Sequence, residues 1–228
     1  MGAEPVDGLR DVILGCNSKV WLALSKVPAI SKHFRYAIGH RDLGRFEFTP
    51  ADRVWVFSYS RSPAENHAIF QRLGAAGVAE VIYISSSSTI IDAQTRCYEY
   101  PRVKRLAESS ALDLPQARLL VVGMVYERAE ELPAGDNIAT SHAEFAAFML
   151  APDWPTCNAR QRQLFNVVSR PFGGRSEQLL YRIYGRLINL AGPYPCLLRP
   201  IDLLLRQLKM HWYGYVFLSN QRWISTTL

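Results

Sequence analysis

The sequence predicts an α/β fold in which a doubly wound parallel sheet carries helices on both faces and is followed by a small, mostly helical C-terminal region. Two observations lead to this class. Short runs rich in β-branched and aromatic residues alternate with helical segments over the first two thirds of the chain, and the alternation ends after Pro133. Strands separated by helices imply right-handed crossovers and therefore a parallel sheet. Because the alternation ends after Pro133, we divide the chain into two regions, residues 1–133 and residues 134–228.

The first region supplies the strands of the predicted sheet. Strands are expected at the short apolar runs 11–14, 35–38, 52–59, 81–84 and 118–122. Helices are expected in between, over 19–32, 63–76 and 101–111. Ser62 suits the N-cap of the second helix and Pro63 its first position, with Gly77 near its end. Pro101 likewise suits a first helical position, with Tyr100 flanking it.

The second region is predicted to be mainly helical. Helices are expected over 141–150, 176–190 and 201–213, with one short strand at 165–168. The last helix carries an apolar stripe flanked by cations, made of Ile201, Leu204, Leu205, Leu208 and Trp212. Packing in the core or in a homodimer is the default explanation of such a stripe. Contact with an anionic membrane surface or with a partner protein is the alternative.

Composition excludes several classes of protein. With 49% hydrophobic and 20% charged residues among 228, the chain is globular rather than disordered. The four cysteines are scattered without a C-x-x-C pair, which argues against a zinc site or a disulfide framework and fits a reducing compartment. The histidines show no metal-ligand spacing, so no metal site is predicted. No nucleic-acid-binding module is present either.

The N-terminus lacks the pattern of a signal peptide, since it has neither a basic segment nor an apolar one. The longest uncharged, mainly apolar stretch near the C-terminus, 187–198, is short and interrupted by glycine and proline, so it does not suit a membrane span. We therefore expect a cytoplasmic protein, with peripheral contact to a membrane as an open alternative.

Positive charge is concentrated in the last third of the chain. The whole chain carries a net charge of +6, whereas the part from Asn158 onward has ten Arg and Lys residues against Glu177 and Asp202. Nine of the ten are arginine, whose planar guanidinium binds phosphate or carboxylate in a bidentate manner. The basic region therefore suits an anionic ligand, although a merely solvated basic face explains the charge equally well.

The most specific chemical signal is a strand that ends in hydroxyl groups and is followed by Tyr100-x-x-x-Lys104. A free tyrosine titrates near pH ~10, so it needs a nearby cation to transfer protons at neutral pH. A lysine four residues later lies on the same helical face. A serine at the end of the strand 81–84 would hold the substrate oxygen beside the tyrosine. Ligands of open α/β sheets bind at this carboxyl end of the strands.

These motifs resemble the short-chain dehydrogenase/reductase superfamily, in particular its extended branch, the NAD-dependent epimerase/dehydratase family. The resemblance rests on segments that follow the family's order along most of the chain: 12–18, 52–60, 81–87, 100–108, 121–126, 165–167 and 176–190. It implies a Rossmann-like fold, with a dinucleotide-binding core over 1–133 and a substrate or partner region over 134–228.

The resemblance also implies roles for individual residues. Tyr100 would be the general acid/base, Lys104 would lower its pKa, and Ser87, or alternatively Ser86 or Ser88, would position the substrate oxygen. The cofactor, NAD or NADP, would be bound by Gly15, Ser18, Arg35, Ser58 and Lys104. A nucleotide-linked sugar would be held by Ser86, Ser88, Asn166 and Arg175. The expected reaction is an epimerisation, dehydration or reduction of that sugar, as in the synthesis of a surface polysaccharide.

The chain departs from the family at the glycine turn. Only Gly15 of the usual three small residues is kept, Ser18 takes the second place and Trp21 the third. A tryptophan there would push the helix away or fill the cofactor groove. The stretch between the second and fourth strands of the family is also too short for the usual helix and strand. An alternative hypothesis is therefore a catalytically inactive member that serves as a binding or regulatory subunit.

Overall fold

The computed structural model describes residues 8–58, 60–91, 98–154, 160–192, 194–207 and 214–227. Its strands are β1 (Arg10–Leu14), β2 (Tyr36–Ile38), β3 (Asp52–Val56), β4 (Glu80–Ser86), β5 (Ala117–Val122), β6 (Met124–Tyr126), β7 (Gly135–Ser141), β8 (Gln161–Leu164) and β9 (Asn166–Arg170). Its helices are α1 (Lys19–Leu24), α2 (Pro28–His33), α3 (Pro63–Ala75), α4 (Glu99–Leu112), α5 (His142–Leu150), α6 (Arg175–Ala191), α7 (Pro195–Gln207) and α8 (Gly214–Thr227).

The chain forms two compact units, each assembled from three separate segments. The first unit contains Met1–Ser85, Leu106–Val121 and His142–Leu164. The second contains Ser86–Arg105, Val122–Ser141 and Phe165–Leu228.

The first unit contains a six-stranded sheet in the order β2-β1-β3-β4-β5-β8. The pairs β1–β2, β1–β3 and β3–β4 are all parallel, which confirms the predicted sheet. Between β2 and β3 the chain forms only a short 3-10 turn, His40–Asp42, so that β3 pairs directly with β1. This agrees with the short spacing seen in the sequence.

Helices cover both faces of this sheet, as predicted. Alternate side chains of each strand point to opposite faces. On one face Val54 and Tyr83 pack with Phe70 of α3. On the other face the fully buried Trp55 makes edge contacts with Phe34 and with Phe148 of α5. The core therefore lies in two layers, one on each side of the central strands.

An ion pair joins β1 to β3 at the end of the sheet where both strands begin. The Arg10 guanidinium donates to both carboxylate oxygens of the fully buried Asp52, at 2.6 and 2.8 Å. Burial alone would raise the pKa of Asp52, but the hydrogen bonds from Arg10 and Thr49 outweigh it and hold the pKa below the ordinary 3.8. The charged carboxylate therefore stabilises the folded protein.

We expect Asp52→Asn to lower the free energy of unfolding at neutral pH by about 2–3 kcal/mol, since charge-assisted hydrogen bonds are lost. Because the folded pKa is depressed, this contribution is present above the unfolded pKa and is lost as the pH falls through the folded value. Urea unfolding of both proteins at pH 7 and at acidic pH checks this. If the difference in free energy of unfolding between the unaltered protein and Asp52→Asn is as large at acidic pH as at pH 7, the charge of Asp52 does not have the assigned role.

Two predicted helices of the first region differ from the observed ones. The segment 19–32 forms two short helices because Pro28 cannot donate a hydrogen bond and begins α2 instead. The helix that carries Tyr100 begins at Glu99, so Pro101 is its third residue rather than its first. A proline is tolerated there because the first amides of a helix have no intrahelical partner. Ser62 does cap α3, accepting from the amide of Glu65, as predicted.

The second unit combines a three-stranded sheet with the C-terminal helices. Its strand order is β6-β7-β9, with β6–β7 parallel and β7–β9 antiparallel. Its core contains Tyr184 and Ile188 of α6 together with Phe217 of α8. The predicted helix 201–213 corresponds to the later part of α7, and its last residues lie outside the described part of the chain. Within the described ranges, no helix has the length and apolar character that crossing a membrane requires.

Candidate functional site

The turn after β1 is closed tightly around Gly15. Gly15 has φ +104°, and a Cβ at this position would lie 2.6 Å from the backbone nitrogen of Ser58. The amides of Gly15 and Cys16 both donate to the Ile38 carbonyl, at 2.9 and 3.1 Å. The amide of Ser18 donates to the Gly15 carbonyl. Glycine is therefore required here by backbone conformation and by close approach to the chain after β3.

Ser18 and Trp21 each serve the short helix α1. The Ser18 hydroxyl caps the helix by accepting from the Trp21 amide at 3.1 Å. The Trp21 side chain is 5% exposed and packs on Phe34 and Phe57, with ring centroids 5.8 and 5.7 Å apart. Trp21 is thus a core residue on the Phe34 side of the sheet. The helix that follows the turn has only six residues.

The structure places Ser58 and Arg35 at different ends of the sheet. Ser58 follows β3, is buried, and its hydroxyl lies 3.2 Å from Nδ1 of His40. Arg35 is exposed and precedes β2, whose first residue Tyr36 pairs with Val12. Arg35 therefore lies at the end of β2 away from the Gly15 turn.

The residues that follow β2 at the Gly15 end are polar and close together. A Cβ on Gly39 would lie 3.0 Å from a carboxylate oxygen of Asp42 and 3.5 Å from the side-chain nitrogen of Asn17. With His40, these residues form a polar group at the carboxyl ends of β1 and β2. Asp42 is not among the cofactor-binding residues expected from the sequence. The sequence feature that could have indicated Asp42 is Gly39, which has no side chain and directly follows β2.

In the second unit, the serines after β4 form a hydroxyl network. The hydroxyls of Ser86 and Ser88 lie 2.9 Å apart, and the amide of Ser88 donates to the Ser86 hydroxyl at 3.3 Å. Ser87 begins the 3-10 turn Ser87–Ile91 and is buried. Its carbonyl accepts from Nε1 of Trp223 in α8 at 2.8 Å.

The structure brings Tyr100 to Ser86 within this network. The Tyr100 hydroxyl shares a hydrogen bond with Ser86, while the Tyr100 ring packs 5.9 Å from that of Tyr215. Burial of the hydroxyl raises the pKa of Tyr100 above its ordinary value, and the bond to Ser86 acts in the opposite direction. The tyrosine is therefore neutral at neutral pH. Lys104 lies one helical turn later and is 6% exposed.

Glu108 continues the same helical face by one more turn. In the first unit it accepts a hydrogen bond from the hydroxyl of Ser85, and both side chains are 2% exposed. A buried carboxyl group requires such a donor. The pair fixes the later part of α4 to the strand β4, which precedes the serine network. The sequence indicated the glutamate but not its serine partner.

Asn166 and Arg175, the expected substrate residues of the second region, are not among the residues that line the described cavity of that unit. Asn166 begins β9 opposite Ala139, and Arg175 is an exposed residue at the start of α6. A cavity of about 440 Å³ lies at the other end of β9 and is lined by residues that include Gly135, Asp136, Ser169, Arg170, Tyr181 and Arg182.

Comparison with known proteins supports the fold. No protein-family model and no curated protein matches the sequence. The enzyme WbmG of Bordetella bronchiseptica, solved with NAD and UDP, is similar in structure, with TM-score 0.52 and 10% identity over 71% of this chain and 74% of the other. Vestitone reductase of alfalfa has TM-score 0.51 and 10% identity over 82% of both chains.

A third solved structure points to the same fold. It is a short-chain dehydrogenase/reductase superfamily protein of Agrobacterium tumefaciens with bound NAD, and it has TM-score 0.52 and 11% identity over 78% of this chain and 82% of its own. At such identities a structural likeness establishes the fold and not the activity. The chain therefore has the same Rossmann-like α/β fold as these solved structures.

Proposed function

We propose that the protein is an NAD(P)-dependent enzyme that epimerises, dehydrates or reduces a nucleotide-linked sugar in the synthesis of a surface polysaccharide. The observation that carries the proposal is the hydrogen bond between Tyr100 and Ser86, with the buried Lys104 one helical turn away. The similar fold of WbmG, solved with NAD and UDP, supports it. The free thiols of Cys16 and Cys196 suit a reducing compartment, and we propose the cytoplasm.

In this proposal the hydroxyl groups of the second unit transfer and position a proton. During reduction the neutral Tyr100 donates its proton to a substrate carbonyl oxygen, and in the reverse direction the Tyr100 phenolate accepts a proton from the substrate hydroxyl group. Ser86 holds that oxygen, and Ser88 orients Ser86 through the bond between their hydroxyls. Ser87 and Asn166 remain candidates for substrate contacts, as does Arg175.

The first unit fits a dinucleotide at the ends of β1 and β2. Gly15 leaves the turn without a side chain where the backbone reverses, and Asp42 offers a carboxylate beside Asn17 and Gly39. A carboxylate after the second strand suits the hydroxyl groups of a ribose. We therefore propose that Gly15, Ser58 and Asp42 hold the cofactor. A nicotinamide bound there would supply or remove the hydride.

One observation favours a second candidate, a binding or regulatory protein without catalysis. The amides of Gly15 and Cys16 both bond to the Ile38 carbonyl, and α1 is only six residues long. A pyrophosphate site normally uses free amides at the start of a full helix. In this candidate the tyrosine and serines contribute hydrogen bonds to stability only.

Cofactor titration separates the two candidates. For the enzyme we expect NAD(H) or NADP(H) to raise the melting temperature, with ~2.7 kcal/mol of stabilisation at 100 times Kd. Asp42→Asn should weaken binding about tenfold, because a charge-assisted hydrogen bond to the ribose is lost.

The matched control for this titration is Arg35→Gln, since Arg35 lies at the other end of β2. We expect it to leave NAD binding unchanged. A selective loss of NADP binding in Arg35→Gln would instead assign Arg35 to the cofactor. The absence of any thermal shift with all four nucleotides would remove the enzyme proposal and favour the binding protein.

A further inference from the structure

Two helices of the second unit expose an unusual number of large apolar side chains. On α6 these are Leu179, Leu180, Ile183, Leu187 and Leu190, which are 46–73% exposed. Tyr194 follows, and α7 adds Leu197, Leu203 and Leu204, each more than half exposed. We call these nine residues the α6–α7 face. Single exposed leucines are ordinary, whereas a concentration on two consecutive helices marks an interaction surface.

The α6 helix has three distinct sides. One side is buried and contains Tyr184, Gly185 and Ile188. A second side carries the exposed leucines. A third side carries exposed arginines at positions i, i+7 and i+11, namely Arg175, Arg182 and Arg186. At 100° per residue, the arginine side lies directly beside the leucine side. The apolar surface is therefore bordered by cations.

The charges around this face indicate whether it binds a second copy of the chain or an anionic membrane surface. Glu177 is the only acidic residue of α6, and the chain from Asn158 onward has ten cations against two acidic residues. Pairing of the face with a second copy would bring the arginines of the two helices together, with only Glu177 and Asp202 as acidic residues on those helices. An anionic membrane surface attracts the arginines and accepts the leucines in its acyl boundary.

We propose that the α6–α7 face docks the protein on an anionic membrane surface. Both helices then lie in the plane of the interface, with leucines inserted at the acyl boundary and arginines at the lipid phosphates. This docking is independent of the proposed enzymatic activity, because none of the nine residues is assigned to catalysis or to cofactor binding.

Flotation with vesicles tests the proposal. The full-length protein should float with vesicles of phosphatidylcholine and phosphatidylglycerol, and much less with phosphatidylcholine alone. Arg182→Gln and Arg186→Gln should each reduce the partition coefficient about fivefold, which corresponds to the ~1 kcal/mol of one arginine near an anionic surface. The double variant Ile183→Gln, Leu187→Gln should reduce it by more than about tenfold, since two apolar insertions are lost.

The control is Leu22→Gln, which replaces a leucine of α1 that is 51% exposed but lies outside the face. It should bind vesicles like the unaltered protein. Equal binding to neutral and anionic vesicles would contradict the proposal that the arginines bind an anionic membrane surface. If no vesicle binding is seen, and light scattering shows a dimer that Ile183→Gln, Leu187→Gln dissociates, the occupant is a second copy and the proposal is wrong. Absence of both binding and self-association would also overturn it. All substituted residues are exposed, so circular dichroism should show unchanged folding.

Discussion

Tyr100→Phe is expected to reduce turnover of a nucleotide-linked sugar by roughly 10²–10⁴-fold, the usual contribution of a positioned acid or base. The variant removes the hydroxyl that bonds to Ser86 and keeps the ring that packs on Tyr215. The fold should therefore persist. Steady-state kinetics on purified protein measure the effect, with Tyr215→Phe as the matched control that should retain most activity.

The partners of Tyr100 sharpen this experiment. If Ser86 holds the reacting oxygen, Ser86→Ala should lower turnover more than Ser87→Ala, since Tyr100 shares its hydrogen bond with Ser86. The raised pKa also has a spectroscopic consequence: Tyr100 should be less ionised at pH 10 than a free tyrosine, which is about half ionised there. The phenolate absorbance lost in Tyr100→Phe at that pH should therefore be smaller than the contribution of a free tyrosine. Unchanged turnover in Tyr100→Phe would exclude Tyr100 from the reaction.

Gly15→Ala is expected to lower the free energy of unfolding by about 3 kcal/mol or more, the sum of a strained backbone and an overpacked contact. The new Cβ would meet the backbone nitrogen of Ser58 at 2.6 Å and the Phe57 carbonyl carbon at 2.9 Å. These backbone atoms directly follow β3, and they cannot move aside cheaply because the amides of Phe57 and Ser58 both donate to the Leu14 carbonyl. Denaturant unfolding measures the loss, and cofactor binding should fall with it.

Gly77→Ala separates the effect of backbone strain from the effect of the overpacked contact. Gly77 also has a positive φ, +62°, but a Cβ there meets nothing within 4 Å. This control should lose only the backbone contribution of about 1 kcal/mol. Equal losses in the two variants would mean that the contact between the Gly15 turn and the chain after β3 is not tight.

The sheet could be predicted because its signal is local. Within the predicted strands 52–59 and 81–84, the stretches 54–57 and 81–84 are apolar throughout, as buried parallel strands are, and both predicted segments form strands in the structure. In contrast, β8 has the sequence Gln-Arg-Gln-Leu, which carries no strand pattern. It forms because the amide of Leu119 in β5 bonds to the carbonyl of Arg160 just before it. Such a strand can be predicted only when the position of its neighbour β5 is known.

The side chains of the candidate site depended on packing that no local pattern contains. Trp21 was expected to fill the cofactor groove or displace a helix, yet its ring packs on Phe34 and Phe57, which are distant in sequence. The family pattern favoured Ser87 as the positioning serine. The strand ends at Ser86 and a 3-10 turn begins at Ser87, so the alternation of side chains breaks between them. Ser86 is consequently the serine that bonds to Tyr100.

The hydrogen bond from Trp223 to the Ser87 carbonyl spans 136 residues of sequence. On a ribosome, the serine network is therefore made early but receives this support only when α8 has been synthesised. Until then the turn after β4 lacks one of its native contacts, although the strand before it has its neighbours β3 and, later, β5. The turn that contains Ser87 and Ser88 therefore has all of these native contacts only once the C-terminal helix has been added.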